Sequence, residues 1–399
     1  MTESDPALFT PNNRRAELFV ATLWIAAVVA ATVQQGVTHH NNNFLIFRAA
    51  SLHLLHGQDL YAAYPALHFD FYKYSPTFAL LFLPFALLPF AISMLLWNAL
   101  NAGVLYYALG RVLPRRAVTI ARGIAFLDML GSLQNVQSNA LVAGLIVLTF
   151  IAYEQDRSIL GSFFAGVGAM IKVFPLAGVS FAIFHRRKLR VAIAVVLSMV
   201  ALLILPLVVT TWGTLTAQYA SWHAIESKDA LDRGFTVMQM VELLLRRQWP
   251  NWPQQVAGTL VLVAPVLVRR HRWKEWSFRL TYLCSVLVFC VIFNHQSESP
   301  TFVIAVAGAA IWFAALARPT TWEWALFVFF VVCTILASSD AMPRAVQAAL
   351  FDRYHFKTVP CILLWIELQR RLWARSELAA VRETHQTDIA SGESLTNAG

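Results

Sequence analysis

Side chains able to do chemistry gather in four short stretches of this 399-residue chain. The first, residues 37–75, begins with His39, His40, Asn41, Asn42 and Asn43. It continues through His53, His56 and Asp59 and closes on His68-Phe69-Asp70-Phe71-Tyr72-Lys73-Tyr74-Ser75, just before Pro76. Gln134, Asn135, Gln137, Ser138 and Asn139 form the second, and Asn294-His295-Gln296-Ser297-Glu298-Ser299 the third. The fourth holds Arg344, Asp352, Arg353, Tyr354, His355 and Lys357. Lys172 is set within an apolar run and followed by Val173-Phe174-Pro175. A carboxylate can accept the proton of an attacking hydroxyl, and ammonium or guanidinium groups can hold an anion. Amides can bind hydroxyl groups by donating and accepting at once. Asp70, between two Phe residues beside an apolar segment, is expected to be partly desolvated. It is either a base or half of a pair with Lys73. Asp59 and Glu298 are the other carboxylates available for the role.

The elements that position these residues follow from composition. Hydrophobic residues make up 58% and charged residues 13%, with 28 Phe and 13 Trp. A soluble domain carries about 25% charge, so this composition fits a polytopic membrane protein. Apolar runs predict spans at roughly 17–36, 76–89, 91–110, 117–133, 138–153, 159–184, 191–211, 254–268, 277–293, 301–317, 322–338 and 357–373. The net charge of +9 is spread over clusters flanking these runs: Arg14 and Arg15; Arg186, Arg187, Lys188 and Arg190; Arg269, Arg270 and Arg272; Arg370, Arg371 and Arg375. That is the pattern of cytoplasmic loops and not the continuous stripe that nucleic acid requires, so no nucleic-acid partner is expected. The alternation places 185–190, 269–276 and 318–322 inside, and 37–75, 212–253, 294–300 and 339–356 outside. Arg115 and Arg116 break this parity.

Several local readings accompany the alternation. The 76–89 run is short for a crossing and holds Pro84. The 159–184 run must start and finish inside, which predicts two half-helices meeting at Lys172-Val173-Phe174-Pro175; the alternative is a snorkelling lysine. Residues 44–56 predict a helix lying on the membrane surface, its greasy stripe made by positions 44, 45, 47, 52 and 55. The loop histidines read as solvated residues and not as metal ligands. Tyr61, Tyr64, Tyr72 and Tyr74 read as an interfacial belt or as faces for a sugar ring. Cys284, Cys290, Cys333 and Cys361 lie in apolar segments and imply no disulfide framework. Residues 16–35 read as a retained first helix, and 376–399 as a polar, disordered cytoplasmic tail after a single membrane domain over 1–375. There is no phosphate-binding loop, dinucleotide fingerprint or zinc-protease helix, and no cofactor or metal is expected.

Taken together, Leu60-Tyr61, Tyr72-Lys73-Tyr74-Ser75-Pro76, the Pro84/Pro89 run, Trp97-Asn98 with Asn101, Gln137-Ser138-Asn139 and Lys172-Val173-Phe174-Pro175 resemble glycosyltransferase family 87. The resemblance covers about 35–375 and implies a GT-C-like all-α bundle of about 10–13 transmembrane segments with a large first extracytoplasmic loop. It further implies a polyprenyl-phosphate sugar donor, most often of mannose, and a lipid or glycan acceptor in the cell envelope. The family's aspartate ahead of the loop helix falls on Asn43 here, and an amide is no base. Asp70 is therefore the expected substitute, with Asp59 and Glu298 behind it. Lys172, Arg353 and Lys357 are expected to hold the donor phosphate. Asn42, Asn43, Tyr72, Lys73, Tyr74, Gln137, Asn139 and His295 are expected to contact the sugar or acceptor. A sugar-lipid flippase and a non-catalytic glycolipid-binding relative are the alternatives.

Overall fold

The computed structural model describes residues 14–229, 233–338, 342–348 and 355–374. The tail at 376–399 lies outside them. In lipid, each backbone N–H and C=O must find its partner within the protein, and a helix does so within one segment. The apolar runs accordingly become α1 (Arg14–Thr38), α2 (Asn42–Leu55), α3 (Pro76–Ala86), α4 (Phe90–Val112), α5 (Arg115–Gln134), α6 (Asn139–Glu154), α7 (Ser158–Ile171), α8 (Lys188–Ile204), α9 (Trp212–Asp229), α10 (Val237–Leu245), α11 (Asn251–Val268), α12 (Trp276–Ile292), α13 (Val303–Ala314), α14 (Thr321–Phe330), the single turn α15 (Arg344–Val346) and α16 (Thr358–Trp373). Segments of 3-10 helix follow α7 (Phe174–Phe184) and precede α13 (Ser299–Phe302), and α14 continues as π-helix over Val331–Ile335. Arg14–Thr38, Phe90–Val112 and Lys188–Val208 are long and apolar enough to cross a membrane. The chain is an all-α polytopic membrane protein.

Lipid tails are as apolar as leucine, so helices associate through close packing and polar contacts more than by escaping water. α6 forms the centre: its residues from Asn139 to Tyr153 are all buried, and Gly144 lets it approach the α4 backbone at Val104 and Leu105. α1 buries Trp24, Ala27, Val28 and Ala31, while Phe19, Ile25 and Val33 face outward.

The bundle has two chemically distinct ends. At one, Lys188 sits over the Trp273 ring at 4.4 Å, and Arg269 and Arg272 donate to carbonyls of Trp373, Arg371 and Ala374. Three of the basic clusters thus lie together, and Glu154, ending α6, joins them through Arg279 at 2.8 Å. At the other end Gln134 donates to Gln34, and Asn43 donates to the Asn135 carbonyl.

The conflict posed by Arg115 and Arg116 disappears because α3 does not reach the basic end. Its eleven residues rise only about 16 Å. It starts at Ser75, which caps Phe78, and it finishes where the Leu88 carbonyl accepts from Arg48 of α2. Phe90, opening α4, stands edge-on to Phe44 of α2 at 5.1 Å. α3 therefore runs beside α2 from end to end, and α4 makes the next crossing. Residue 115 then opens α5 at the basic end.

α2 also departs from the sequence expectation. It buries Phe44, Ile46, Phe47, Ala49, Ala50, Ser51, His53 and Leu54, while Leu45 and Leu52 are half-buried and Leu55 is exposed. The small residues at 49–51 let it press against α3, where Ser51 donates to the Ala79 carbonyl at 2.8 Å. A wedge of rings from Phe44, Phe47, Phe78, Phe82 and Trp97 fills the contact. Residues 212–253, expected as an outside loop, instead contain α9, α10 and the start of α11.

Candidate active site

The polar end holds a cavity of about 330 Å³. Its walls come from chain segments far apart in sequence, and each is fixed by a local cause. Pro175 has no N–H to continue the ladder of α7, so the helix ends at Ile171 and Lys172 takes an extended backbone (φ −145°, ψ 137°). Non-helical backbone at this depth is tolerated because it lines a polar cavity. The lysine ammonium donates to Asn139 Oδ1 at 2.8 Å. Asn139 in turn donates to the Gln137 side-chain oxygen, and Gln137 Nε2 donates to Glu298 Oε2 at 2.7 Å.

Glu298 sits on a turn held by main-chain bonds. Gly234 N–H donates to the His295 carbonyl at 3.1 Å and Phe235 N–H to the Ser297 carbonyl at 2.7 Å. A side chain on Gly234 would strike that Ser297 carbonyl, which accounts for the glycine. On the opposite wall, α9 clasps the first loop. Gln218 accepts from Leu60 N–H at 3.0 Å and donates to the Gln58 carbonyl at 2.8 Å, while Trp222 Nε1 donates to the Lys73 carbonyl at 3.3 Å. The loop starts at Gly57, whose φ of +65° suits a residue without Cβ and ends α2.

Asn43, Asp70, Lys73, Tyr74, Gln137, Lys172, His295 and Glu298 all line this one cavity. Asp70 pairs with Lys73 at 3.8 Å and keeps 47% of its side chain exposed. It is only about half covered, because Phe69 and Phe71 turn outward and are themselves 86% and 45% exposed. Asn139 stands directly behind Gln137. Asn42 lies outside the wall, its oxygen accepting from Phe69 N–H at 3.0 Å. Tyr72 is buried beneath the loop, donating to the Ser75 carbonyl at 2.7 Å. Asp59 shapes a turn by accepting from Tyr61 N–H at 3.0 Å. Lys357 is turned into the bundle, 3.8 Å from Asp128. Arg353 falls outside the described residues.

The cavity also contains two residues that the sequence reading passed over, Trp222 and Glu226 of α9. Their spacing of four was the available signal, since it puts both on one helical face. Burial pushes the Tyr74 phenol well up from its ordinary range, and Glu298 nearby adds to the effect. Tyr74 therefore stays a protonated hydrogen-bond donor at neutral pH. Of the histidines, His53 of α2 packs against Tyr64 with the rings tilted and their centres 4.0 Å apart, and His68 Nδ1 contacts the Asp70 carbonyl at 2.6 Å. Among the described residues no three His, Cys, Asp or Glu side chains are grouped as a metal site.

Carboxylates and ammonium groups around one cavity, linked by amides, can handle an anionic leaving group and a hydroxyl nucleophile together. The family model of glycosyltransferase family 87 matches residues 71–294, more than half of the chain. The chain belongs to glycosyltransferase family 87. It is thus a membrane glycosyltransferase, and the match spans the wall residues Lys73, Tyr74, Gln137, Lys172, Trp222 and Glu226. Asp70 and Glu298 lie just beyond its limits, and Asn43 lies well before its start. No curated protein matches this family 87 chain.

Proposed function

We propose that this glycosyltransferase moves a hexose, mannose in the first instance, from a polyprenyl-phosphate donor to a lipid or glycan acceptor on the outer face of the plasma membrane. The observation that carries the reading is the meeting of Asp70, Glu226 and Glu298 with Lys73 and Lys172 around one cavity of sugar-binding size. The acceptor hydroxyl attacks the anomeric carbon, its proton passes to Asp70, and the bond from that carbon to the phosphate oxygen breaks. The lipid phosphate leaves with the electron pair. Lys172 holds the charge that develops on it, an effect strongest where water is excluded. Asn43, Gln137 and His295 bind sugar hydroxyls, Asn139 holds Gln137 and Lys172 in place from behind, and Tyr74 and Trp222 offer ring faces. Lys357 and Arg353, expected to assist with the phosphate, are assigned no part in this scheme.

An apolar groove of about 730 Å³ between α7 and α8 suits the prenyl tail. Leu160, Phe163, Leu197, Leu202 and Leu205 line it. At Leu202 the groove wall meets α3, where the Leu202 carbonyl accepts from Thr77 at 2.8 Å.

The test is transfer of labelled mannose from polyprenyl-phosphate mannose in membranes containing the parent protein or Asp70→Asn, with and without EDTA. The parent is expected to form product, and Asp70→Asn to lose about 10²–10⁴-fold, the usual worth of a general base. Equal transfer by both proteins would remove Asp70 from the role and pass it to Glu298 or Glu226. Absence of transfer by the parent from mannose, glucose and galactose donors alike would refute the donor class.

A further inference from the structure

Asp128 of α5 and Lys357, the residue before α16, pair at 3.8 Å with side chains 4% and 3% exposed. Neither lines the cavity. Two charges taken out of water cost more than well-packed apolar side chains of similar size, so stability alone is a poor reason for such a pair. Ionisable side chains inside a membrane bundle point to function by default.

What this pair holds is close to the site. Lys357 Nζ donates to Ser299 Oγ at 2.9 Å and to the Ser299 carbonyl at 3.2 Å, above the Phe302 ring at 4.6 Å. Ser299 opens the 3-10 turn into α13 and lines the cavity, and Glu298 precedes it directly. On its other side Lys357 is tied by its own carbonyl, which accepts from Thr334 at 3.3 Å. Thr334 belongs to the π-helical segment Val331–Ile335, and such local departures from α-helix recur at functional sites. The ammonium is therefore held by Asp128 of α5, the Lys357 backbone by the α14 extension, and the ammonium delivers its hydrogen bonds to the turn that carries Glu298.

We propose that Asp128 and Lys357 are positioning residues, an internal tether that sets the Ser299 turn and through it the place of Glu298 in the cavity. Asp128 orients the ammonium, and the ammonium holds Ser299. The effect on turnover rests on the proposed transfer reaction, whereas the tether itself is a statement about geometry.

The test replaces both charges together, Asp128→Leu with Lys357→Met, so that no lone charge is left buried. The double variant is expected to unfold at nearly the parent's temperature yet to lose about tenfold in kcat, because shifting Glu298 also shifts the row of Gln137, Asn139 and Lys172 that it ends, and misplaced groups cost rate without unfolding. Glu298→Gln should cost much less in this background than in the parent, since groups acting through one another are not additive. Parental kcat in the double variant, or independent losses, would overturn the proposal. A second readout needs no activity. Glu298→Cys, in a Cys333→Ser background, is labelled by a charged thiol reagent; the other cysteines, Cys284, Cys290 and Cys361, are buried. Removing the tether should change the labelling rate at least threefold, and an unchanged rate counts against the tether even if the parent transfers no sugar. Should the double variant fail to accumulate, Ser299→Ala, which removes one of the two Lys357 bonds, is labelled instead. A rate equal to the parent's would again overturn the proposal.

Discussion

Lys172 and Glu298 stand at opposite ends of one hydrogen-bonded row that passes through Asn139 and Gln137. The row has a single polarity: each amide accepts from the lysine side and donates toward the glutamate. Turning over either amide would set like groups face to face, so the two ends fix the orientation of everything between them. Charge at one end of the cavity is thereby coupled to charge at the other without direct contact.

Asn139→Asp tests that coupling. A carboxylate there would neutralise the Lys172 ammonium and could no longer donate to Gln137. The KM for the lipid-phosphate donor should rise about tenfold, equivalent to roughly 1.4 kcal/mol, with a smaller change in kcat. Steady-state kinetics with varied donor decide it, and an unaltered KM would detach Lys172 from the phosphate.

Asn43 offers a second test, because it lines the cavity where the family resemblance implies an aspartate. Its amide now donates to the Asn135 carbonyl at 2.8 Å. A carboxylate at this position would lose that bond, be repelled by the carbonyl oxygen and turn toward the cavity. Asn43→Asp introduced into Asp70→Asn is expected to recover at least tenfold of the lost transfer, part of the usual worth of a base. No recovery in the same labelled-sugar assay would mean that position 43 cannot reach the acceptor.

Gly234→Ala should weaken the strap between residues 234–235 and 295–297. The added methyl meets the Ser297 carbonyl, which is backbone and yields poorly. A loss of about 1–3 kcal/mol is expected from such overpacking, visible as a lowered unfolding temperature in detergent together with reduced transfer. Gly213, which has open space around it, serves as the control for Gly→Ala.

The first loop should loosen in acid through His53. Burial lowers the pKa of its imidazole, and His68 and then His56 lower it further. The folded state thus favours neutral His53. That contribution is complete above the ordinary histidine range, near pH 6.5, and is lost as the pH falls through and below it. Proteolysis of the 56–75 segment is expected to accelerate between pH 7 and 5 and to lose that acceleration in His53→Gln. Equal acceleration in both proteins would place the effect elsewhere.

Much of the bundle was legible in the sequence because long apolar runs and flanking arginines report directly on spans. The break at Lys172 was legible too, since a proline cannot continue the helical ladder. α3 and α2 were harder. Hydropathy records that 76–86 is apolar, and cannot tell a helix that faces lipid from one wedged between neighbours. The cavity's polar lining was read from residue type alone, which put Asp70, Gln137, Lys172 and Glu298 at one end of the bundle, where all four line one space. The same reasoning took Lys357 for a cavity residue and missed Asp128, because which way a buried charge points depends on a partner more than two hundred positions away. Glu226 went unread because α9 is amphiphilic and short of apolar residues, and so resembles a loop.

The cavity draws on residues from Asn43 to Ser299, which has a consequence for biosynthesis. A chain inserted from its N-terminus commits Gln137, Asn139 and Lys172 to the bundle before Glu298 has been made. At ordinary translation speeds that interval is on the order of ten seconds. During it, an ammonium and two amides sit at the end of a half-built bundle without the carboxylate that completes their row. Water, lipid phosphate or an insertion factor must shield them until α13 arrives, and a chain truncated before residue 298 should be a target for membrane quality control.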